Sequence, residues 1–256
     1  MANQNQPILF AIDGSLARIT LNRPEKRNAL NATVISGLKD ALRNANMEES
    51  VRAIVISGAG QDFCSGADLE ALRIIANASV ADNANDARSL MELFVLIREV
   101  SVPVVAAVRG RALAGGCGLA SACDIVLASD SARFGYPEVK IGFVPAMVLA
   151  ILRRNVSEKI AFELITRGAE VSANEAKEIG LVNQVFSDGT FERNVDEYTR
   201  GFEKMSKSAV ALTKSLLYQI DGMQFAEALE TGVDVNVIAR MTEDCQNGIA
   251  GFLKKK

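Results

Sequence analysis

The stretch GRALAGGCGLASACD, Gly110 to Asp124, holds four glycines and four alanines in fifteen residues, with its only acid at the far end. The continuous apolar run VPVVAAV (102–108) leads into it, and DIVLAS (124–129) follows. Runs that are apolar at every position mark strands covered on both faces, as in a parallel sheet. Between them CGLASAC reads as a short helix, which places Gly115 and Gly116 at its N-terminus. Backbone N–H groups there have no partner within the helix, and glycine lets a ligand come close to them. The spacing suits stabilisation of a developing negative oxygen. It suits tight helix packing equally well, and the spacing alone does not separate the two.

Outward from this point, strands and helices alternate. ILFAIDGSLARITLN (8–22) contains two alternating runs joined at Asp13-Gly14, a hairpin pattern. NATVISGLKDALRNA repeats apolar residues at helical spacing (Val34, Ile35, Leu38, Ala41, Leu42) behind a possible cap, Asn31. VRAIVISG (51–58) is a buried strand, and DARSLMELFVLIREV (86–100) a second amphipathic helix. The polar, small-residue tract NASVADNANDA (77–87) predicts a mobile loop. SANEAKEIG carries an S-x-x-E capping box at Ser172 and Glu175, with Gly180 at the left-handed C-terminal position before strand LVNQVF (181–186). From about residue 190 the pattern is helical only, so a boundary is expected there: a core over 1–190 and a helical region over 191–256.

The 256 residues carry a net charge of −3, with 49% hydrophobic and 23% charged residues, as expected for a folded enzyme-like chain with no general attraction to nucleic acid or anionic lipid. No charged leader and no membrane-length apolar segment occurs, which predicts a cytoplasmic protein. Histidine is absent altogether. That excludes a Ser/His/Asp triad, a Cys/His dyad and a His-ligated zinc site built from this chain alone. The four cysteines lack CxxC spacing and read as buried free thiols. No metal and no separate cofactor is expected.

Phosphate-loop readings fail one by one. GGCGLASA has no Gly-Lys-Ser/Thr, and VISGAGQDF places Phe63 where a dinucleotide fingerprint needs its third glycine. Ser65 in CSGAD lacks the glycines of a nucleophile elbow. FCSGADLEAL, however, repeats the form of the central stretch: an apolar loop, a glycine, then a helix beginning near Ala67. Two such segments can supply a pair of amides to one oxygen.

These residues resemble the crotonase superfamily, the enoyl-CoA hydratase/isomerase family, over nearly the whole chain. ITLNRPEKRNALN resembles its first strand and CoA-contacting loop, FCSGADL its first oxyanion segment, and AAVRGRALAGGCGLASACDIVLAS its central pattern. FGYPEVKIGFVP resembles the segment bearing a catalytic glutamate, and VSANEAKEIGLVNQVF the end of the core. The resemblance implies an α/β fold, a spiral of β-β-α repeats with two roughly perpendicular sheets and a helical C-terminal region that packs homotrimers or homohexamers.

It also implies roles for particular residues. The backbone N–H groups of Ala67 and Gly115 would hold the thioester oxygen of an acyl-CoA, and donors of this kind are each worth ~3–4 kcal/mol in other enzymes. Glu138 would be the acid/base in an apolar pocket lined by Phe134, Tyr136, Ile141 or Phe143; the competing reading is a solvated turn carboxylate paired with Lys140. Hydratases of the family have a second glutamate where this chain has Gly118, so Gly118 and Tyr136 are assigned to the substrate pocket, the glycine making room for a bulkier acyl group or a water. Tight helix contact would also explain it. Arg23, Lys26, Arg27, Ala29 and Leu69 are the CoA-contacting candidates, with Phe252 and Lys254 reaching CoA from the last helix. The implied reaction is hydration or dehydration of a 2-enoyl-CoA. Double-bond isomerisation between positions 3 and 2 needs only one carboxylate, and a non-catalytic CoA-binding or assembly subunit is the reading outside enzymology. Coenzyme A enters as part of the substrate.

Overall fold

Alternating and continuous apolar runs build the main sheet. In the computed structural model, which describes residues 6–254, β1 (Ile8–Asp13) and β2 (Leu16–Leu21) pair antiparallel with Asp13 opposite Leu16. Gly14 takes φ +62° in the connecting turn, a conformation that glycine adopts without strain. β3 (Ala53–Gly58), β4 (Val104–Val108), β6 (Ile125–Ser129) and β9 (Gln184–Phe186) then join in parallel, giving the order β1-β2-β3-β4-β6-β9. Three strands of three residues each, β5 (Arg111–Leu113), β7 (Arg133–Gly135) and β8 (Glu170–Ser172), form a second sheet.

Both faces of the central strands are covered, which is why they read as unbroken apolar runs. Ile54, Ile56, Val104, Ala106, Val126 and Ala128 face the main core with Val34, Leu38 and Leu42 of α1 (Ala32–Met47) and Leu93, Phe94 and Ile97 of α3 (Val80–Glu99). Their alternate neighbours Val55, Val105, Ala107 and Leu127 pack on Phe191 and Val195 of α8 (Phe191–Arg200). The first helix of the C-terminal region therefore covers the sheet itself.

The local signals match the helix ends. The Asn31 side chain accepts the Val34 N–H at 2.9 Å, Ser172 and Glu175 close a capping box on α7 (Ala173–Glu178), and Gly180 takes φ +87°. The tract 77–87 differs from expectation. α2 (Leu69–Asn77) ends there and α3 begins at Val80, capped by Ser79, whose Oγ accepts the Asp82 N–H at 3.2 Å. The cap and the buried residues Leu93, Phe94 and Ile97 further along the same helix draw this polar turn into helical form.

Beyond α8 come α9 (Lys207–Gln219), α10 (Phe225–Met241) and α11 (Glu243–Leu253), the last two separated by the single extended residue Thr242. α9 is locked to the core by one buried cation. Lys214 Nζ donates to the Ile97 and Val102 carbonyls at 2.8 and 3.0 Å and to Asp124 Oδ2 at 2.7 Å, while the Tyr218 hydroxyl donates to Asp124 Oδ1 at 2.6 Å. Among the described residues no helix is long and apolar enough to cross a membrane.

Candidate active site

Two backbone segments meet at the start of α4 (Gly115–Ala122). Cys64 pairs with Ala112 in a parallel bridge: the Cys64 N–H donates to the Arg111 carbonyl at 3.1 Å and the Leu113 N–H to the Cys64 carbonyl at 2.9 Å. A β-carbon on Gly116 would lie 2.3 Å from the Cys64 carbonyl oxygen, so glycine is required for this approach. One on Gly66 would lie 2.6 Å from Ala114 Cβ and 3.4 Å from the Gly115 nitrogen, which puts the two segments in contact.

The geometry leaves one amide of each segment unclaimed. On its far side the first segment bridges Leu30, whose N–H donates to the Gly66 carbonyl at 2.7 Å and whose carbonyl accepts the Asp68 N–H at 2.9 Å. Ala67, between those two bonds, turns its own N–H away from Leu30. In the second segment Ala114 takes φ +52°, ψ −128°, a conformation that strains any residue with a β-carbon by ~1–3 kcal/mol. Hydrogen bonds at both its ends hold it there: its N–H donates to the Gly135 carbonyl at 2.8 Å and its carbonyl accepts the Gly118 N–H at 3.0 Å. Gly115 N–H follows as the first free amide of α4. Among the described residues neither the Ala67 nor the Gly115 N–H has a protein acceptor.

Glu138 stands in the short 3-10 helix Pro137–Ile141, which follows β7 and so lies beside the same turn through the β5–β7 pairing of Leu113 with Gly135. Its carboxyl is half-buried, and Oε2 is buried with no hydrogen-bond partner among the described residues. Burial pushes its pKa up, opposed only by its own backbone N–H. Among the described residues no charge of Lys140 acts on it, so the paired-turn reading has no contact behind it. Its charge reaches Cys117 and Tyr136, raising both groups further above values already elevated by burial.

The residues expected around it divide. Phe134 and Tyr136 are wholly buried, and the Tyr136 hydroxyl lies 3.0 Å from Ser121 Oγ, so Tyr136 backs Glu138 from inside the core. Ile141 and Phe143 are exposed at 71% and 47%. The room expected beside Gly118 is occupied: a β-carbon there would stand 2.2 Å from Val148 Cγ1 and 3.5 Å from Phe94 Cζ. Close packing of α4 against α5 (Ala146–Asn155) is what this glycine meets.

Of the CoA candidates, Lys26 and Arg27 are exposed on the loop after β2, Arg27 at φ +49°. Arg23 is engaged elsewhere. Its guanidinium pairs with Asp68 Oδ2 at 2.8 Å and donates to the Ala29 carbonyl at 3.0 Å, so this CoA candidate is held by two partners within the chain. Ala29 is buried beneath that loop, and Leu69 opens α2, its side chain lying outside the described residues. Phe252 is 63% exposed on α11 and Lys254 lies just past its end.

Sequence reasoning missed Asn28. Buried at φ +56°, it donates to the Ala59 and Asp62 carbonyls at 2.9 and 2.7 Å and accepts the Arg23 N–H at 2.9 Å, tying the loop to the stretch that leads into Phe63 and Cys64. An asparagine in a basic loop is the available signal, since its side chain tolerates left-handed backbone. Val148 had no signal at all. Among the described residues no group of three or more Cys, Asp or Glu is arranged to hold a metal ion. A cleft of about 630 Å³ between the ends of α1 and α3, lined by Asp40, Arg43, Met47 and Glu99, includes none of these site residues.

Residues 11–256 match the family model described as enoyl-CoA hydratase/isomerase. The chain belongs to the enoyl-CoA hydratase/isomerase family. A Thermus thermophilus protein named "Putative enoyl-CoA hydratase" is 39% identical over 95% of this chain and 96% of its own length. The 2,3-dehydroadipyl-CoA hydratase of Escherichia coli is 34% identical over 93% of this chain and 92% of its own. The crystal structure of an enoyl-CoA hydratase from Mycobacterium smegmatis superposes with a TM-score of 0.93 at 30% identity, covering 98% of this chain and 97% of that one. The mixed α/β fold is thus the crotonase fold of the enoyl-CoA hydratase/isomerase family.

Proposed function

We propose that this chain binds an acyl-CoA thioester, holds its carbonyl oxygen on the Ala67 and Gly115 N–H groups, and moves a proton with Glu138. The observation that carries the reading is the conjunction of two unclaimed amides on touching segments with a half-buried carboxyl whose Oε2 has no partner. Charge moves onto the thioester oxygen when C2 loses a proton or C3 gains a hydroxide, and fixed N–H dipoles stabilise it there. The first helical turn of α4 adds its positive end.

Hydration of a 2-enoyl-CoA is the reaction favoured by the names of the relatives. In that sequence the Glu138 carboxylate takes a proton from the water that attacks C3, and the enolate is then protonated at C2 by the same carboxyl. Dehydration is the reverse. A raised pKa serves both halves, because the group must accept and return the proton near neutral pH. Isomerisation of a 3-enoyl-CoA is the second reading, and a specific observation favours it: position 118 is glycine, with Val148 packed against it, and offers no second carboxylate to hold water. In it Glu138 removes a proton from C2 and delivers it to C4.

Lys26 and Arg27 are proposed to meet the phosphates of CoA, and Phe252 and Lys254 to approach it from the last helix. The core over 1–190 would carry the chemistry and the helices of 191–256 the assembly. The exposed apolar residues Leu229, Val233, Val237 and Ile238 on α10, with Phe225 before them, fit a surface covered in a homotrimer or homohexamer. Turnover on crotonyl-CoA and on a 3-enoyl-CoA tests the assignment. Activity on either that is lost in Glu138→Ala, with CoA-ester binding kept, supports it; unchanged turnover removes Glu138 from its role.

A further inference from the structure

We infer that Arg23 and Asp68 form a positioning pair that aims the Ala67 N–H, an inference that rests on the oxyanion role proposed above. Asp68 directly follows Ala67 and does two things at once. Its Oδ1 accepts the Glu70 N–H at 3.0 Å and caps α2, and its Oδ2 receives the Arg23 guanidinium at 2.8 Å. Both side chains are withdrawn from solvent, Asp68 at 7% and Arg23 at 18% exposure. Arg23 NH1 reaches the Ala29 carbonyl at 3.0 Å, one residue before Leu30, which carries the bridge on both sides of Ala67.

The peptide unit that presents the Ala67 N–H follows Gly66, which takes φ +95° and is intrinsically free to rotate. Two backbone bonds from Leu30 flank it, at Gly66 and at Asp68. Among the described residues the charged pair is the side-chain link between the loop 23–30 and residue 68. A planar guanidinium bound at two points resists rotation as well as separation, which an ammonium does not. The capping bond and the Arg23 charge hold the Asp68 carboxyl below its ordinary value, in keeping with a permanently charged pair. The same loop carries the exposed Lys26 and Arg27, and the Ser65 N–H donates to the Arg27 carbonyl at 3.0 Å. Loop and oxyanion segment are therefore tied at three places, Arg27 to Ser65, Leu30 to Gly66 and Asp68, and Arg23 to Asp68.

The test uses the full chain and the better substrate of crotonyl-CoA and a 3-enoyl-CoA, with kcat and KM measured for Arg23→Gln, Arg23→Lys and Asp68→Asn. Removing an oxyanion donor outright costs 100-fold or more, so a donor left in place but poorly aimed is expected to lower kcat about 10-fold with KM within about 2-fold. Arg23→Lys recovers part of the loss, and Arg23→Gln combined with Asp68→Asn falls no further than the worse single variant. A bound cinnamoyl-CoA reports carbonyl polarisation directly: its absorption shifts to the red in the wild type and less in Asp68→Asn, a readout that general loosening with intact binding does not produce.

Thermal melts identify any variant that fails to fold, and Arg23→Lys, which keeps the cation, then carries the measurement with Asp68→Asn. A rise in KM for Arg23→Gln with kcat kept and Asp68→Asn unaffected would mean that Arg23 serves CoA phosphate and would overturn the proposal. So would wild-type kcat and red shift in Asp68→Asn. Absence of wild-type turnover and of any thioester red shift would overturn the oxyanion reading itself, and this proposal with it.

Discussion

Replacing Gly118 by alanine sets two local effects against each other. In an open helix the change would stabilise by about 1 kcal/mol, because alanine gives up less backbone freedom. Here the new β-carbon stands 2.2 Å from Val148 Cγ1 and 3.2 Å from Val148 Cβ. Ordinary carbon contacts are about 3.5–4.0 Å, so the γ-methyl must retreat by about 1.3 Å or more. Val148 is β-branched on a helix and 5% exposed, which leaves it few alternative rotamers and no room to use them. Overpacking of this kind costs ~1–3 kcal/mol, and net of the helix term a loss of up to about 2 kcal/mol remains. For a chain of this size that is a fall in Tm of up to about 4–8 °C at fixed protein concentration. Val148→Ala removes the offending methyls, so Gly118→Ala combined with Val148→Ala should be more stable than the sum of the single losses by about 1 kcal/mol. A rise in Tm for Gly118→Ala, or additivity within about 0.3 kcal/mol, would refute the packing account of this glycine.

Glu138→Gln is expected to lower kcat by about 100-fold or more while raising stability at pH 8. The sign follows from burial: a carboxyl whose folded pKa lies above its ordinary value of 4.5 makes the native state lose stability as pH rises through the interval between them. The stabilisation in Glu138→Gln should therefore vanish in melts below pH 4.5, and the acid limb of kcat/KM in the wild type should lie above that value. Lys214→Met leaves Asp124 Oδ2 and the Ile97 and Val102 carbonyls without their cation, and a loss of ~3–5 kcal/mol in urea unfolding is expected. Thiol titration should label Cys245 alone in the native chain and all four cysteines after unfolding, because Cys64, Cys117 and Cys123 are buried and burial raises each of their pKa values, to about 12 for Cys64 and about 11 for Cys117.

Features that depend on neighbours along the chain were legible without the fold. The two-sided burial of β3, β4 and β6 was written as unbroken apolar runs, α1 as a 3.6-residue spacing behind Asn31, and α7 as a capping box closed by Gly180. Hydrophobic period and capping chemistry act within a few residues, so they survive in a linear reading. Spacing marked Gly115 and a helix start near Ala67 as possible amide donors, while the family resemblance gave them their roles and singled out Glu138. Three-residue strands such as β5 and β7 are too short to show a period, and Thr242 breaks a helix without glycine or proline. It took the folded chain to show that Val148 fills the space at Gly118, that Arg23 turns inward to Asp68, and that Oε2 of Glu138 is buried without a partner among the described residues. Each of these joins residues far apart in the chain, or depends on what surrounds a side chain in space, and no local propensity encodes either.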